Sequence, residues 1–315
     1  MSTSFTAYGQ GATQAARALE REIAKVAAWQ GRTLSYRVVS GGISNANWRV
    51  RVEGNTQDYF VKIPGPGTEI FVDRRAAHDA SLAAAASGYG PPVVGFIEDS
   101  GVEILGYVDG WRSSSNDDFL QPHMRRNATT ALRAFNDQPR LGLTKTVFDM
   151  IDEHEAQSAE LGARRPLDHA WLRLQCDRAK AAITAAGIDL VPCMNDTIAA
   201  NFMVDGTGEV MLIDFEYASN NDRAYEIAMW FGEMFFDPDT EAEIIEDYFG
   251  QVTPEISARI HLHKALADIK WATWSMVQRR ISSIDFDYYK YGIWKFMRAR
   301  TLMNSDSWEY SLRKV

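Results

Sequence analysis

The feature that most constrains the fold is a change of hydrophobic period near residue 108. Before it, apolar residues alternate in three runs: Leu34, Tyr36 and Val38, then Trp48, Val50 and Val52, then Tyr59, Val61 and Ile63. A period of two marks strands with one buried face, and Gly or Asn bounds each run. Leu19, Ile23 and Val26 predict an amphipathic helix over 11–29, and an alanine-rich stretch predicts another over 73–87, ended by Gly88 and Gly90-Pro91-Pro92. Short strands near 93–97 and 102–106 complete a small sheet. After Tyr107-Val108-Asp109-Gly110 the period becomes helical, near 116–136, 145–160, 167–187, 222–236, 239–250, 254–281 and 285–303. The exception is a hairpin over 201–213, with a turn at Gly206 and Gly208. The pattern is α+β: a small β-rich lobe over 1–108, a hinge, and a larger, mainly helical lobe over 109–315.

Charge and cysteine content narrow the function. Asp and Glu number 42 against 33 Lys and Arg, a net charge of −9, which argues against a nucleic-acid partner. The acidity is local: between Cys193 and Gly250 fourteen Asp or Glu stand against one basic residue, Arg223. Such a field is expected to draw in a divalent cation and a cationic small molecule. Two cysteines, Cys176 and Cys193, fit neither a zinc pattern nor a disulfide framework. With no charged leader and no run of about 18 apolar residues, a cytoplasmic protein without a membrane span is expected.

The chemistry is concentrated on either side of the hairpin. Asp196 precedes Asn201 by five positions, and Asp214 follows in Ile213-Asp214-Phe215-Glu216. In phosphoryl transfer, an Asp on a loop accepts the proton of the acceptor hydroxyl. An Asn five residues later and an Asp beyond a hairpin hold Mg²⁺. The template also needs a lysine on a strand of the small lobe to hold phosphates. Lys62 supplies it, because the period of two points it away from Val61 and Ile63. Gly41-Gly42-Ile43-Ser44-Asn45-Ala46-Asn47 joins two strands with small residues and is the candidate phosphate-covering loop. By contrast, Gly65-Pro66-Gly67 reads as a turn, His261 and His263 as surface or packing residues, and Arg74-Arg75 as a solvated basic pair.

With these residues, the chain resembles the choline/ethanolamine kinase family, within the larger group that includes aminoglycoside phosphotransferases. The likeness runs through GGISNANWRV, YFVKIPGPGTEIFVDRR, NDTIAANF and LIDFEYASNNDRAYEIA to WATWSMVQRRISSIDFDYYKY. It implies a bilobal, protein-kinase-like fold that uses ATP and Mg²⁺ to phosphorylate the hydroxyl of choline or a related amino-alcohol. Other acceptors within its reach are amines such as an aminoglycoside, and a weakly catalytic ATP-binding protein is the alternative. Nucleotide contacts are then expected from Ser44, Asn45, Asn47, Lys62, Gly106 and Tyr107, catalysis from Asp196, and metal binding from Asn201 and Asp214. Trp271 and Trp274 lie three apart on one helical face. By resemblance they join Tyr217, Phe286 and Tyr291 in a box around the substrate cation, with Glu216 and Glu233 close by. Aromatic faces suit a trimethylammonium group, which cannot donate hydrogen bonds. The chain departs from the family pattern at Met194, where His is usual, and in the small-lobe helix. There only Asp73 or Asp79 stands where a Glu would pair with Lys62.

Overall fold

The computed structural model describes residues 4–41 and 45–315. The N-terminal part is an antiparallel sheet of six strands: β1 (Thr6–Ala7), β2 (Leu34–Val39), β3 (Asn45–Val52), β4 (Tyr59–Pro64), β5 (Val93–Ile97) and β6 (Val102–Gly106), in the spatial order β1-β2-β3-β4-β6-β5. Alternation sets the faces. Trp48, Val50, Val52, Val61 and Ile104 are buried with Leu34 and Tyr36 under α1 (Gln14–Ile23), which contributes Leu19 and Ile23. The first helix is shorter than its sequence pattern predicts. It ends at Ile23 because the chain turns through a 3₁₀ segment, Ala27–Trp29, to bury Trp29 against the sheet. Helix α2 (Arg74–Ala86) crosses between β4 and β5, its first turn capped by Asp73, whose carboxylate accepts from the Ala76 amide at 3.0 Å.

The C-terminal part holds α3 (Pro122–Asn136), α4 (Val147–Glu160), α5 (His169–Ala186), α6 (Arg223–Met234), α7 (Pro238–Phe249), α8 (Pro254–Ile281), α9 (Tyr288–Met303) and α10 (Asp306–Lys314). The helical pattern over 116–136 is broken in two. Asn116–Leu120 is a 3₁₀ turn, and α3 starts afresh at Pro122, which lacks the amide needed to continue the ladder. Short strands thread among the helices: β7 (Arg112–Ser113), β8 (Leu190–Cys193), β9 (Phe202–Val204), β10 (Val210–Leu212) and β11 (Ser219–Asp222). The predicted hairpin is β9–β10, with β7 added on its edge. The β8–β11 pair carries no alternation in the sequence, yet its register of Cys193 opposite Ser219 sets the two chemical loops side by side. No helix among the described residues is long and apolar enough to cross a membrane, and both thiols are buried and unpaired.

Two apolar cores support this part. One gathers Phe119, Phe202, Trp230 and Phe231 around the hairpin, and the other gathers Trp271, Trp274, Phe296 and Trp308 around α8. The α8–α9 contact depends on one small residue. A Cβ on Gly292 would stand 2.2 Å from Ser275 Oγ and 2.5 Å from Met276 Cε. Gly292→Val is therefore expected to lower stability by about 2 kcal/mol through overpacking, read as a drop in the urea midpoint at unchanged slope.

Candidate active site

Asp196 lies in the loop between β8 and β9, whose shape is set from below. Asn195 takes a left-handed backbone conformation, φ 59°. Its side chain makes that turn part of a network: Nδ2 donates to the Tyr217 carbonyl and to Ser219 Oγ, both at 2.8 Å, and Oδ1 accepts from Asn221 Nδ2 at 2.8 Å. Glu226, fully buried on α6, accepts from the Met194 amide at 2.7 Å and the Asn195 amide at 3.0 Å. Burial pushes the Glu226 carboxyl up to about 7 against the pull of those two amides. Met194, in place of the family His, is packed in the apolar core. The turn is thus held by Asn195 and Glu226. Glu226 went unnoticed in the sequence; its only signal is a charged residue in the apolar face of α6.

Asn201 Nδ2 donates to the Asp196 carbonyl at 2.8 Å and to Asp196 Oδ2 at 3.1 Å, so the five-residue spacing places the amide against the carboxylate. Burial raises the Asp196 pKa above the ordinary carboxylate range. Asp214 and Glu233 add to the shift, while Lys270 and Asn201 oppose it.

Asp214 also adopts a left-handed conformation, φ 66°. Lys62 reaches from β4 to Asp214 Oδ1 at 2.6 Å and to Glu216 Oε1 at 3.3 Å. Glu216 further accepts from Asn45 Nδ2 at 2.6 Å and from Arg74 Nη1 at 2.9 Å. Burial disfavours the Lys62 ammonium, but Asp214 and Glu216 outweigh it and hold its pKa above the usual range. Two expectations are corrected here. Asp73 caps α2 and Asp79 accepts from Arg75 Nε at 3.1 Å, so neither pairs with Lys62. That role falls to Asp214 and Glu216; Glu216 is held with Lys62 and Arg74 and also lines a small cavity with Tyr217 and Lys270, and Arg74 is accordingly engaged instead of solvated.

The remaining nucleotide candidates divide. Asn47 lies opposite Lys62 in the β3–β4 register. Asn45 Oδ1 and Asn47 Oδ1 are buried without a hydrogen-bond partner among the described residues. Gly106 stands opposite Tyr59, three residues from Lys62 along β4 and so about 10 Å away. Tyr107 follows it, its ring covered by Arg49 at 3.9 Å. Ser44 lies outside the described residues.

No group of three or more His, Cys, Asp or Glu that could hold a metal converges among the described residues. Asn201 Nδ2 is spent on Asp196, which leaves Oδ1 for a cation, and Asp214 follows Ile213, whose amide donates to the Asn201 carbonyl at 3.0 Å. One carboxylate and one amide oxygen fit Mg²⁺, which keeps water and phosphate ligands for itself.

The aromatic residues come together in a connected chain. Tyr217 meets Trp271 at 5.2 Å between ring centroids, Trp271 meets Trp274 at 5.2 Å, and Trp274 meets Tyr291 at 6.5 Å. Phe286 touches Tyr291 at 5.9 Å but is 43% exposed, so it forms the rim. Glu233 is bound to Lys295 of α9 and adjoins the chain of rings. Lys270 was not singled out from the sequence. Its amine lies 3.1 Å from the Trp271 ring centroid and 4.5 Å from that of Tyr217, and the side chain is fully buried. The signal available was a lysine inside the otherwise apolar face of ALADIKWATW.

Asp196, the Asn201 amide and Asp214 facing a lysine from the β-sheet match the arrangement expected of a phosphotransferase with an alcohol acceptor. The profile of the choline/ethanolamine kinase family matches residues 36–251. The probable choline kinase 2 of Arabidopsis thaliana is 23% identical over 286 residues, 79% of this chain and 79% of that protein. The crystal structure of a choline/ethanolamine kinase family protein from Mesorhizobium loti superposes with a TM-score of 0.79 at 22% identity, covering 95% of this chain and 98% of that one. LicA in complex with AMP gives a TM-score of 0.75 at 19% identity, covering 94% and 98%. The chain belongs to the choline/ethanolamine kinase family and has its bilobal, protein-kinase-like fold.

Glu226 yields a prediction of its own. Glu226→Ala strands two buried amides and is expected to cost about 3 kcal/mol in urea unfolding, whereas Glu226→Gln keeps one acceptor and costs less.

Proposed function

We propose that the chain transfers the γ-phosphoryl group of ATP to the hydroxyl of a small amino-alcohol. The observation that carries this reading is the convergence of Lys62 from the sheet with Asp214, beside Asp196 and Asn201 in the template order. Nucleotide binding is assigned to residues 1–108 and catalysis with acceptor binding to 109–315. The AMP bound to LicA supports a nucleotide in the cleft of this fold.

Each residue has a physical task. Lys62 provides fixed positive charge for the phosphates, and the buried oxygens of Asn45 and Asn47 border the same strand pair. Asp196 orients the acceptor hydroxyl and takes its proton as the oxygen bonds to the γ-phosphorus; the bond to the β-phosphate oxygen breaks and ADP leaves. Mg²⁺ held by Asn201 and Asp214 would neutralise charge on the phosphates. Trp271, Trp274, Tyr217 and Tyr291 wall the acceptor, with Phe286 at the entrance.

Asp196→Asn is expected to keep the melting temperature and to lose about 10²–10⁴ in kcat, measured as ADP release with an amino-alcohol panel. Unchanged turnover would sink the assignment. Asp196 must be ionised to accept a proton, and its pKa is raised, so activity falls as pH is lowered. The acid limb of the kcat profile is expected above the ordinary carboxylate value of about 4.

A further inference from the structure

Phe235 closes α6 in a left-handed backbone conformation, φ 57°, as Asn195 and Asp214 do in the loops of the site. Helices that end in this conformation normally do so at Gly or Asn, because a bulky side chain is strained there. Burial does not offset the strain. The Phe235 ring is 60% exposed, while its neighbour Phe236 turns inward onto Trp230 and Phe231. What Phe235 meets is Trp294 of α9, stacked on it at 5.6 Å between centroids with 22° between the planes. Strain kept at a surface aromatic pair points to a functional position.

The pair continues the chain of rings at the acceptor site. Trp294 lies one turn beyond Tyr291 on α9, 6.5 Å from it between centroids. Charge fixes the pair in place. Glu233, two residues before Phe235, is bound to Lys295. The Arg298 guanidinium stands 5.0 Å from the Phe235 centroid and 5.2 Å from that of Trp294, and its Nε and Nη2 donate to buried Asp268, each at 2.9 Å. The rings then differ in what already faces them. Lys270 lies on Tyr217 and Trp271, Lys295 on Tyr291 and Trp294, and Arg298 on Trp294 and Phe235. Trp274, between Trp271 and Tyr291, is the ring of the chain with no Lys or Arg over it among the described residues. A substrate ammonium finds its unshared ring there, whereas the outer pair, already backed by a guanidinium, suits an uncharged aromatic group.

We propose that Phe235 and Trp294 form an outer subsite for an arylalkyl substituent on the acceptor's nitrogen, so that the acceptors include N-substituted amino-alcohols as well as small ones. The assignment rests on the reading of the ring box as the acceptor site. That reading sets the ammonium at Trp274 and leaves the substituent to run along Tyr291 to the outer pair.

The test is calorimetric titration of the full chain with choline and with the choline analogue in which a phenylpropyl group replaces one N-methyl. The analogue is expected to bind roughly tenfold tighter, the order expected for an offset aromatic stack with its buried area. Phe235→Gly should lose most of that gain while melting close to the wild-type chain, because glycine fits the left-handed position. Trp294→Ala should lose it as well, and choline affinity should be unchanged in both. Failure of the analogue to bind more tightly than choline to the wild-type chain overturns the proposal, and so does a gain that survives both substitutions. ADP release is read separately. Choline phosphorylated with no gain for the analogue removes the subsite alone, whereas a gain with no ADP release from either ligand refutes the kinase reading and leaves the subsite in place.

Discussion

A lysine ammonium largely withdrawn from water needs counter-charge within reach, and the position of Lys62 makes the two parts of the molecule depend on each other. Its side chain is 16% exposed, and the carboxylates that neutralise it, Asp214 and Glu216, come from the helical part. Glu216 is gripped in turn by Arg74 from α2 and Asn45 from β3. Three elements of the sheet region therefore meet one turn of the helical region through charge. Breaking such a buried pair by removing one partner costs about 3–5 kcal/mol, because the other charge is left stranded.

The loops that carry the two acids store backbone strain at matching points. Of three non-glycine residues with positive φ among the described residues, two are Asn195 and Asp214. Such conformations cost on the order of 1–2 kcal/mol and persist where the surroundings over-determine them. For Asn195 the surroundings are Glu226 beneath its amide, and Tyr217, Ser219 and Asn221 around its side chain. Since Ser219 and Asn221 belong to β11, and β11 is paired with β8, the strand pair and the turn that carries Asp196 form one hydrogen-bonded unit. The placement of Asp196 and Asp214 is thus built into the backbone rather than left to side-chain rotamers.

Those particulars explain which parts could be read from the sequence. The strands of the sheet were legible because one face is apolar and the other polar; the same alternation put Val61 in the core and Lys62 in the cleft. The Asp196, Asn201 and Asp214 spacing was legible because it matches the phosphoryl-transfer template, and the fold sets Asn201 against Asp196. Strand β11 was not. Ser219-Asn220-Asn221-Asp222 is wholly polar and wholly buried, since its side chains bond to other backbone: Asn220 to the Leu141 amide and carbonyl, each at 2.8 Å, and Asn221 to the Val147 amide at 3.1 Å. Local propensity assigns such residues to turns. Helix α10 escaped notice because it is short and mostly polar. What anchors it is Trp308, fully buried, with Nε1 donating to Gln175 Oε1 at 2.9 Å. The partner of Lys62 was sought on α2, where a spacing rule places it, and was supplied from a distant turn that no local pattern reports.

The acidic segment shows how a correct count can mislead about a field. Fourteen acids between Cys193 and Gly250 suggest a strongly negative site. In the folded chain most of the buried ones have partners. Asp222 is bound to Arg259, Glu233 to Lys295, Glu241 to Lys264 and Glu243 to Arg125. Glu226 faces two backbone amides, while Asp205 and Asp237 fasten their own turns. Asp214 and Glu216 are engaged with Lys62. Every one of these cations except Lys62, from the sheet, belongs to a helix flanking the segment, so tertiary packing cancels a charge that is concentrated in the sequence. Asp196, bonded to Asn201, is in no ion pair among the described residues. The field of the segment is then weaker than its composition implies.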